Sequence, residues 1–157
     1  MPAEPQFPNV IADGDHDEAV RQVERLQLDY VHRIDDGPLA TWPDLFTDIC
    51  LYRVTSRENW EAGHDLGVTA TQNAAVYAPR TIRHILSGTL VDRIDQAGIH
   101  CRTNVAIYQT SADGDTLLLM AAVYHDIVIE DGGTPKFREK NLVYDTLRLP
   151  DSVICPL

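Results

Sequence analysis

The chain has 157 residues, a length that supplies the core of one domain without metal or disulfide staples. It carries 13 Lys plus Arg against 24 Asp plus Glu, a formal charge of -11 at neutral pH. So acidic a balance repels nucleic-acid phosphates and anionic lipid headgroups, and neither is expected as a partner.

Residues 1–15 contain Pro2, Pro5 and Pro8 followed by Asp13-Gly14-Asp15, the composition of an arm, and residues 16–157 read as a single domain. A helix is predicted from Asp15 or Asp17, where Asp15 and Glu18 have capping-box spacing and the acidic residues suit the positive end of the helix dipole. Ala19, Val23, Leu26, Tyr30 and Ile34 then recur every three or four residues and form one apolar stripe. Asp36-Gly37-Pro38 stops this helix, and a shorter amphipathic one follows with Leu39, Trp42, Leu45 and Phe46 as its buried set.

From Ile49 the pattern changes to period two and to short apolar runs. Strands are predicted near Ile49–Thr55, Thr81–Ile94, Ile99–Ser111, Thr116–Glu130 and Lys136–Leu149. Asp95-Gln96-Ala97-Gly98, Ala112-Asp113-Gly114-Asp115 and Asp131-Gly132-Gly133-Thr134 have hairpin chemistry, so the sheet is expected to be antiparallel. Trp60 to Ala78 reads as mixed loop and short helix. Helices followed by long curling strands make an α+β cone whose concave face holds either a pocket or a plug of side chains.

Cys50, Cys101 and Cys155 are far apart, lack CxxC spacing and follow no apolar export segment, which suits reduced thiols in a cytoplasm. The longest apolar run, Leu117 to Tyr124, is strand-length and falls short of the roughly 20 residues of a membrane span. Its apolarity on both strand faces predicts cover on both, one by a helix and the other by a second subunit.

No Cys-x-His or Cys-x-x-His occurs, so the ligand pattern of a Rieske cluster is missing. His84, His125 and Asp126 lie on separate strands or on opposite faces of one, which speaks against a mononuclear iron site. Alternation aims Ile82, His84 and Leu86 to one side of their strand. His84 with Asp35 is therefore either a core histidine held by a carboxylate or an acid-base pair. Arg80, Arg83 and Arg102 are candidates for pairing with carboxylates of a substrate or of a neighbouring chain, and Tyr124 for an interface.

Trp42-Pro43-Asp44-Leu45-Phe46, Tyr52-Arg53-Val54 with Arg57-Glu58-Asn59-Trp60-Glu61, Arg83-His84-Ile85-Leu86, Val143-Tyr144-Asp145 and the ending Cys155-Pro156-Leu157 together carry a resemblance. The chain resembles the small, or beta, subunits of Rieske-type aromatic-ring-hydroxylating dioxygenases, most of all those of terephthalate dioxygenases and salicylate 5-hydroxylases. The resemblance implies the cone-shaped fold of nuclear transport factor 2 and its relatives (cystatin-like), with N-terminal helices packed on a strongly curved sheet. It implies no metal in this chain, with the Rieske [2Fe-2S] cluster and a mononuclear Fe(II) in a large (alpha) partner subunit. It also implies a homotrimer within a three-plus-three complex and a substrate that is a carboxylated arene. The alternative is a stand-alone dehydratase, isomerase or cyclase of the same fold, similar to scytalone dehydratase, with Asp35 and His84 as its acid-base pair.

Overall fold

A computed structural model describes residues 13–64 and 80–145; residues 1–12 of the predicted arm, most of the uncertain segment after Trp60 and the C-terminal tail lie outside the described residues, whereas Asp13-Gly14-Asp15, expected as the end of the arm, already open the first helix. Helix α1 (Asp13–Asp35) leads through a 3-10 turn (Leu39–Leu45) into strand β1 (Phe46–Ser56), a short helix α2 (Arg57–Glu61) and strands β2 (Arg80–Asp95), β3 (Gly98–Ser111), β4 (Thr116–Asp131) and β5 (Thr134–Tyr144).

The apolar stripe of α1 is buried as its spacing predicts: Ala19, Val23, Leu26, Tyr30 and Val31 pack on the sheet. Glu18 with Arg21 and Asp29 with Arg33 pair along the opposite, solvated side. Gly37 ends the helix in the left-handed region, at φ 80°, and Pro38 prevents its continuation. The second helical element is a 3-10 turn, and of its expected buried set Leu39 is exposed, whereas Leu45 is buried and Phe46 is already the first residue of β1.

The strand order is β1-β5-β4-β3-β2. The pairs β2–β3, β3–β4 and β4–β5 are antiparallel, as the hairpin signals predict. The pairing of β1 with β5 is parallel, so the sheet is mixed and open rather than wholly antiparallel. Parallel pairing requires a long crossover, and the chain between β1 and β5 supplies the other three strands. The register of β1 jumps between Phe46 and Leu51, so residues 47–50 leave the ladder and Ile49 is 90% exposed.

Side chains at Cys101, Thr103, Val105 and Ile107 of β3 and at Met120, Ala122, Tyr124, Asp126 and Val128 of β4 point to the concave side and are buried. At the β2–β3 hairpin Gly98 has φ 126°, and a Cβ there would lie 2.4 Å from the carbonyl oxygen of Val128 on the adjoining strand. Gly114, at φ 90°, has nothing within 4 Å of the same position. Gly98→Ala therefore loses about 2 kcal/mol or more of unfolding free energy. Gly114→Ala loses about 1 kcal/mol from backbone conformation alone. Urea denaturation of both variants checks the difference, and equal losses would show that the close approach at Gly98 relaxes freely.

Candidate functional site

Two polar centres are built into the concave side. The first joins the end of α1 to β2. His84 donates its backbone N–H to Asp35 Oδ2 at 2.8 Å, and its ring Nδ1 lies 2.6 Å from Asp35 Oδ1. A carboxylate only accepts, so Nδ1 carries the hydrogen and Nε2 is left as the other ring position. The His84 side chain has no exposed surface and that of Asp35 is 2% exposed. Among the described residues, buried His84 Nε2 has no hydrogen-bond partner, and neither do Tyr124 Oη and Trp42 Nε1. Just outside, Arg83 donates to both oxygens of Asp36 at 2.7 and 3.0 Å, which holds the Asp36 carboxyl below its ordinary range and raises the guanidinium. Alternation on β2 sends His84 inward and Arg83 outward, and successive acids at the helix end meet them one each. This centre has the geometry of a carboxylate-oriented histidine, closed off from solvent.

The second centre lies deeper, where β4 and β5 face α1. Lys140 Nζ donates to Asp126 Oδ2 and to Gln27 Oε1, both at 2.9 Å. Gln27 Nε2 donates to the same Asp126 oxygen at 2.6 Å, and the Asn141 backbone N–H reaches Asp126 Oδ1 at 3.3 Å. Neither side chain of the ion pair has any exposed surface. The ammonium sits 3.5 Å from the ring centre of Tyr124, 4.2 Å from Tyr30 and 4.3 Å from Phe137, so three aromatic faces complete its cage. Burial pushes Asp126 up and Lys140 down, and their mutual attraction opposes both shifts. Burial first, then the charges of Tyr52, Asp126 and Asp35, raises Tyr124 well above an ordinary phenol, so it stays protonated. Around this cage the rings of Tyr30, Trp42, Phe46, Tyr52 and Phe137 pack with centroid separations of 4.8–6.2 Å. The middle of the cone is thus occupied by a side chain.

Of the residues that the sequence singled out, Asp35 and His84 come together. Arg83 and Arg102 find carboxylates within their own chain, Asp36 and Asp92; Arg102 approaches Asp92 at 2.7 Å. The side chain of Arg80 lies outside the described residues. Tyr124 faces the interior with none of its surface exposed, which takes it off any interface; it pairs in register with Thr103 and Leu142, both also buried. His125 and Asp126 part to opposite faces, Asp126 to the core and His125 to the outer face, where the Trp60 ring covers it at 4.9 Å. Burial and then the charge of Arg102 push His125 down. Among the described residues no three His, Cys, Asp or Glu side chains gather as a metal site. No described helix is long and apolar enough to cross a membrane. Lys140 and its aromatic cage are absent from the sequence reading. The faint signal was that Lys136 and Lys140 are the only lysines, and that Lys140 stands two residues before the run Leu142-Val143.

Residues 16–140 match the SnoaL-like domain family, a span that takes in both polar centres. The chain belongs to that family. Within it, the chain is 26% identical over 149 residues to the small subunit of anthranilate 1,2-dioxygenase of Burkholderia cepacia, covering 87% of this chain and 92% of the relative. It is 23% identical to the beta 2 subunit of the terminal oxygenase component of terephthalate 1,2-dioxygenase of a Comamonas species, covering 87% of this chain and 97% of the relative. A crystal structure described as the beta subunit of an aromatic-ring-hydroxylating dioxygenase of Novosphingobium aromaticivorans superposes with a TM-score of 0.74 at 26% identity, covering 85% of this chain and 94% of the other. The homologues of this SnoaL-like chain are thus small subunits of aromatic-ring dioxygenases, and the likeness spans nearly the whole of each.

The Lys140 cage sets an energetic expectation for the family fold in this chain. Lys140→Met leaves Asp126 charged and buried without its cation, which costs about 3–5 kcal/mol of unfolding free energy. Adding Asp126→Leu removes the stranded charge, so the double variant loses less than the two single losses combined, by about 2 kcal/mol. A double-mutant cycle by chemical denaturation measures this, and strictly additive losses would mean that the two groups do not act as a unit.

Proposed function

We propose that this chain is the small, non-catalytic subunit of a multicomponent Rieske-type oxygenase that hydroxylates a carboxylated aromatic ring in aromatic-compound catabolism. The observation that carries the reading is the near full-length similarity to the small subunits of two dioxygenases whose names both contain an aromatic carboxylate. The caged Lys140 adds to it, because the part of the cone where a substrate would lie in an enzyme of this shape is filled by an internal ion pair. The large subunit holds the [2Fe-2S] cluster and the mononuclear Fe(II), and there the electrons arrive and oxygen is activated. This chain contributes contact surface in the cytoplasm, as a homotrimer within a three-plus-three assembly.

A second reading has one observation in its favour. The 2.6 Å contact of His84 with Asp35 has the form of an acid-base pair of a dehydratase or isomerase, with Nε2 as the working nitrogen. Complete burial of the imidazole weighs against it.

Co-expression with the cognate large subunit separates the two. The subunit reading expects stable co-purification, ring hydroxylation only when both chains are present, and no iron bound to the small chain alone. His84→Asn is expected to leave hydroxylation per assembled complex within about twofold of wild type, since surrounding contacts and not chemistry depend on that ring. Failure to co-purify, together with turnover of a substrate by the small chain alone that His84→Asn abolishes, establishes the enzyme reading instead.

A further inference from the structure

Lys140 points into the core, so its neighbours on β5, Glu139 and Asn141, point to the outer face of the sheet. The register places Glu139 in one row with Ile127 and His100, and Asn141 in the next row with His125 and Arg102. Trp60 of α2 lies over this corner, its ring 4.9 Å from that of His125. Beside the indole is a cavity of about 220 Å³, lined among others by Trp60, Asp92, Arg93, His100, Glu139 and Asn141.

Most charges around this cavity are already matched. Arg93 pairs with Asp95 at 2.9 Å, and Asp92 takes Arg102 at 2.7 Å. His100 Nε2 lies 3.0 Å from the same Asp95 carboxylate. Burial, then the charge of Arg102, holds His125 below the ordinary imidazole range, so at neutral pH it adds no positive charge. Glu139 differs. Among the described residues no hydrogen bond or ion pair engages its carboxylate. Arg53 stands beside Asn141 on β1 but does not line the cavity. A second acceptor is stranded next to Glu139. Asn141 is 4% exposed, and its Nδ2 donates to the His125 carbonyl at 3.0 Å, which fixes the amide; its Oδ1 is shut off from water with no hydrogen-bond partner among the described residues. A buried amide oxygen left unpaired costs about 1–3 kcal/mol, which a donor entering the cavity recovers.

We propose that this cavity is a binding site for a guanidinium group, held by Glu139 and Asn141 Oδ1 against the ring of Trp60. A guanidinium is planar and has five N–H donors, so it meets a carboxylate with two of them, keeps others for an amide oxygen and stacks on an indole. An ammonium is a compact, strongly hydrated point charge without that fork, and an anion would meet Glu139 as a like charge. Reaching Asn141 Oδ1 takes a shift of the side chains around it, which the Trp60 ring, on a helix of five residues, is placed to give. The formal charge of -11 draws cations to the chain at long range. The inference goes beyond the subunit reading and does not rest on it. The guanidinium belongs either to a free small molecule or to an arginine of the large subunit.

Titration of the purified full chain with Nα-acetylarginine methylamide, whose only charge is its guanidinium, tests the site through the indole N–H NMR signals of the two tryptophans. The Trp60 signal is expected to shift and saturate in the millimolar range, while that of Trp42, packed against the core, stays in place. Glu139→Gln should weaken binding about tenfold or more, the worth of a hydrogen bond to a charged group. Its side chain is partly exposed, so urea denaturation of this variant should match wild type. Glu61 lines a neighbouring cavity and not this one, and Glu61→Gln should leave binding within about twofold of wild type. The equally capped lysine should bind about threefold more weakly or worse, and capped citrulline, the neutral counterpart of arginine, not at all. The proposal is overturned if Trp60 does not respond, if Glu139→Gln binds like wild type, or if the lysine or citrulline compound binds as well as the arginine one. Repeating the titration on the complex identifies the source: an arginine of the large subunit shuts the probe out, whereas a site for a free ligand binds it as before. Failure of the two chains to co-purify counts against the subunit reading and leaves the titration of the single chain to decide the site.

Discussion

A lysine ammonium that has lost all contact with water must be neutralised within a few ångströms, and in this protein that requirement fixes where three elements meet. Lys140 comes from β5, its counter-charge Asp126 from β4, the bridging amide of Gln27 from α1, and the aromatic walls from α1, β4 and β5. No member can be removed without leaving another unpaired, because Gln27 donates to the carboxylate while accepting from the ammonium. A buried pair of this kind gains little net stability over a well-packed apolar substitute. What it does is exclude other arrangements: sliding α1 along the sheet or shifting β5 by one residue would strand a charge in the core.

The plug and the His84 clamp divide the cone. Around Lys140 the interior is dense with rings, while nearer the end of α1 the polar atoms of His84, Tyr124 and Trp42 have no hydrogen-bond partner among the described residues. The interior thus holds an oriented histidine beside a caged ion pair. The clamp still has mechanical work. Asp35 accepts from both the backbone and the ring of His84, and Asp36 takes the neighbouring Arg83, so the last turn of α1 is tied to the edge strand β2 by adjacent carboxylates. Such bonds to charged groups are each worth about 1.5–3 kcal/mol where solvent is excluded, which holds for Asp35 and not for the exposed Asp36.

How much of this could be read from residues alone varied with the range of the interaction. The stripe of α1, the stop at Gly37-Pro38 and strands β2, β3 and β4 are local patterns, and the sequence carries them openly. The Asp35–His84 meeting was also legible, since alternation on β2 and the position of Asp35 at a helix end leave few choices. Lys140 was hidden by a bulge. Counting by twos from buried Phe137 puts Glu139 and Asn141 inward and Lys140 outward; the register shift opposite Ile127 and Val128 makes Arg138 an extra residue and reverses the phase. The parallel pairing of β1 with β5 was invisible for a different reason. It depends on where the chain returns after three intervening strands, and no residue near either strand records that.

Net charge keeps a chain this acidic dispersed by self-repulsion. Here Arg57, Arg83, Arg93 and Arg102 are already answered by Asp145, Asp36, Asp95 and Asp92 of the same chain, so these charges are balanced locally. The carboxylates that hold Arg83 and Arg102 also tie elements together: Asp36 joins the end of α1 to β2, and Asp92 of β2 joins β3 beside the ladder.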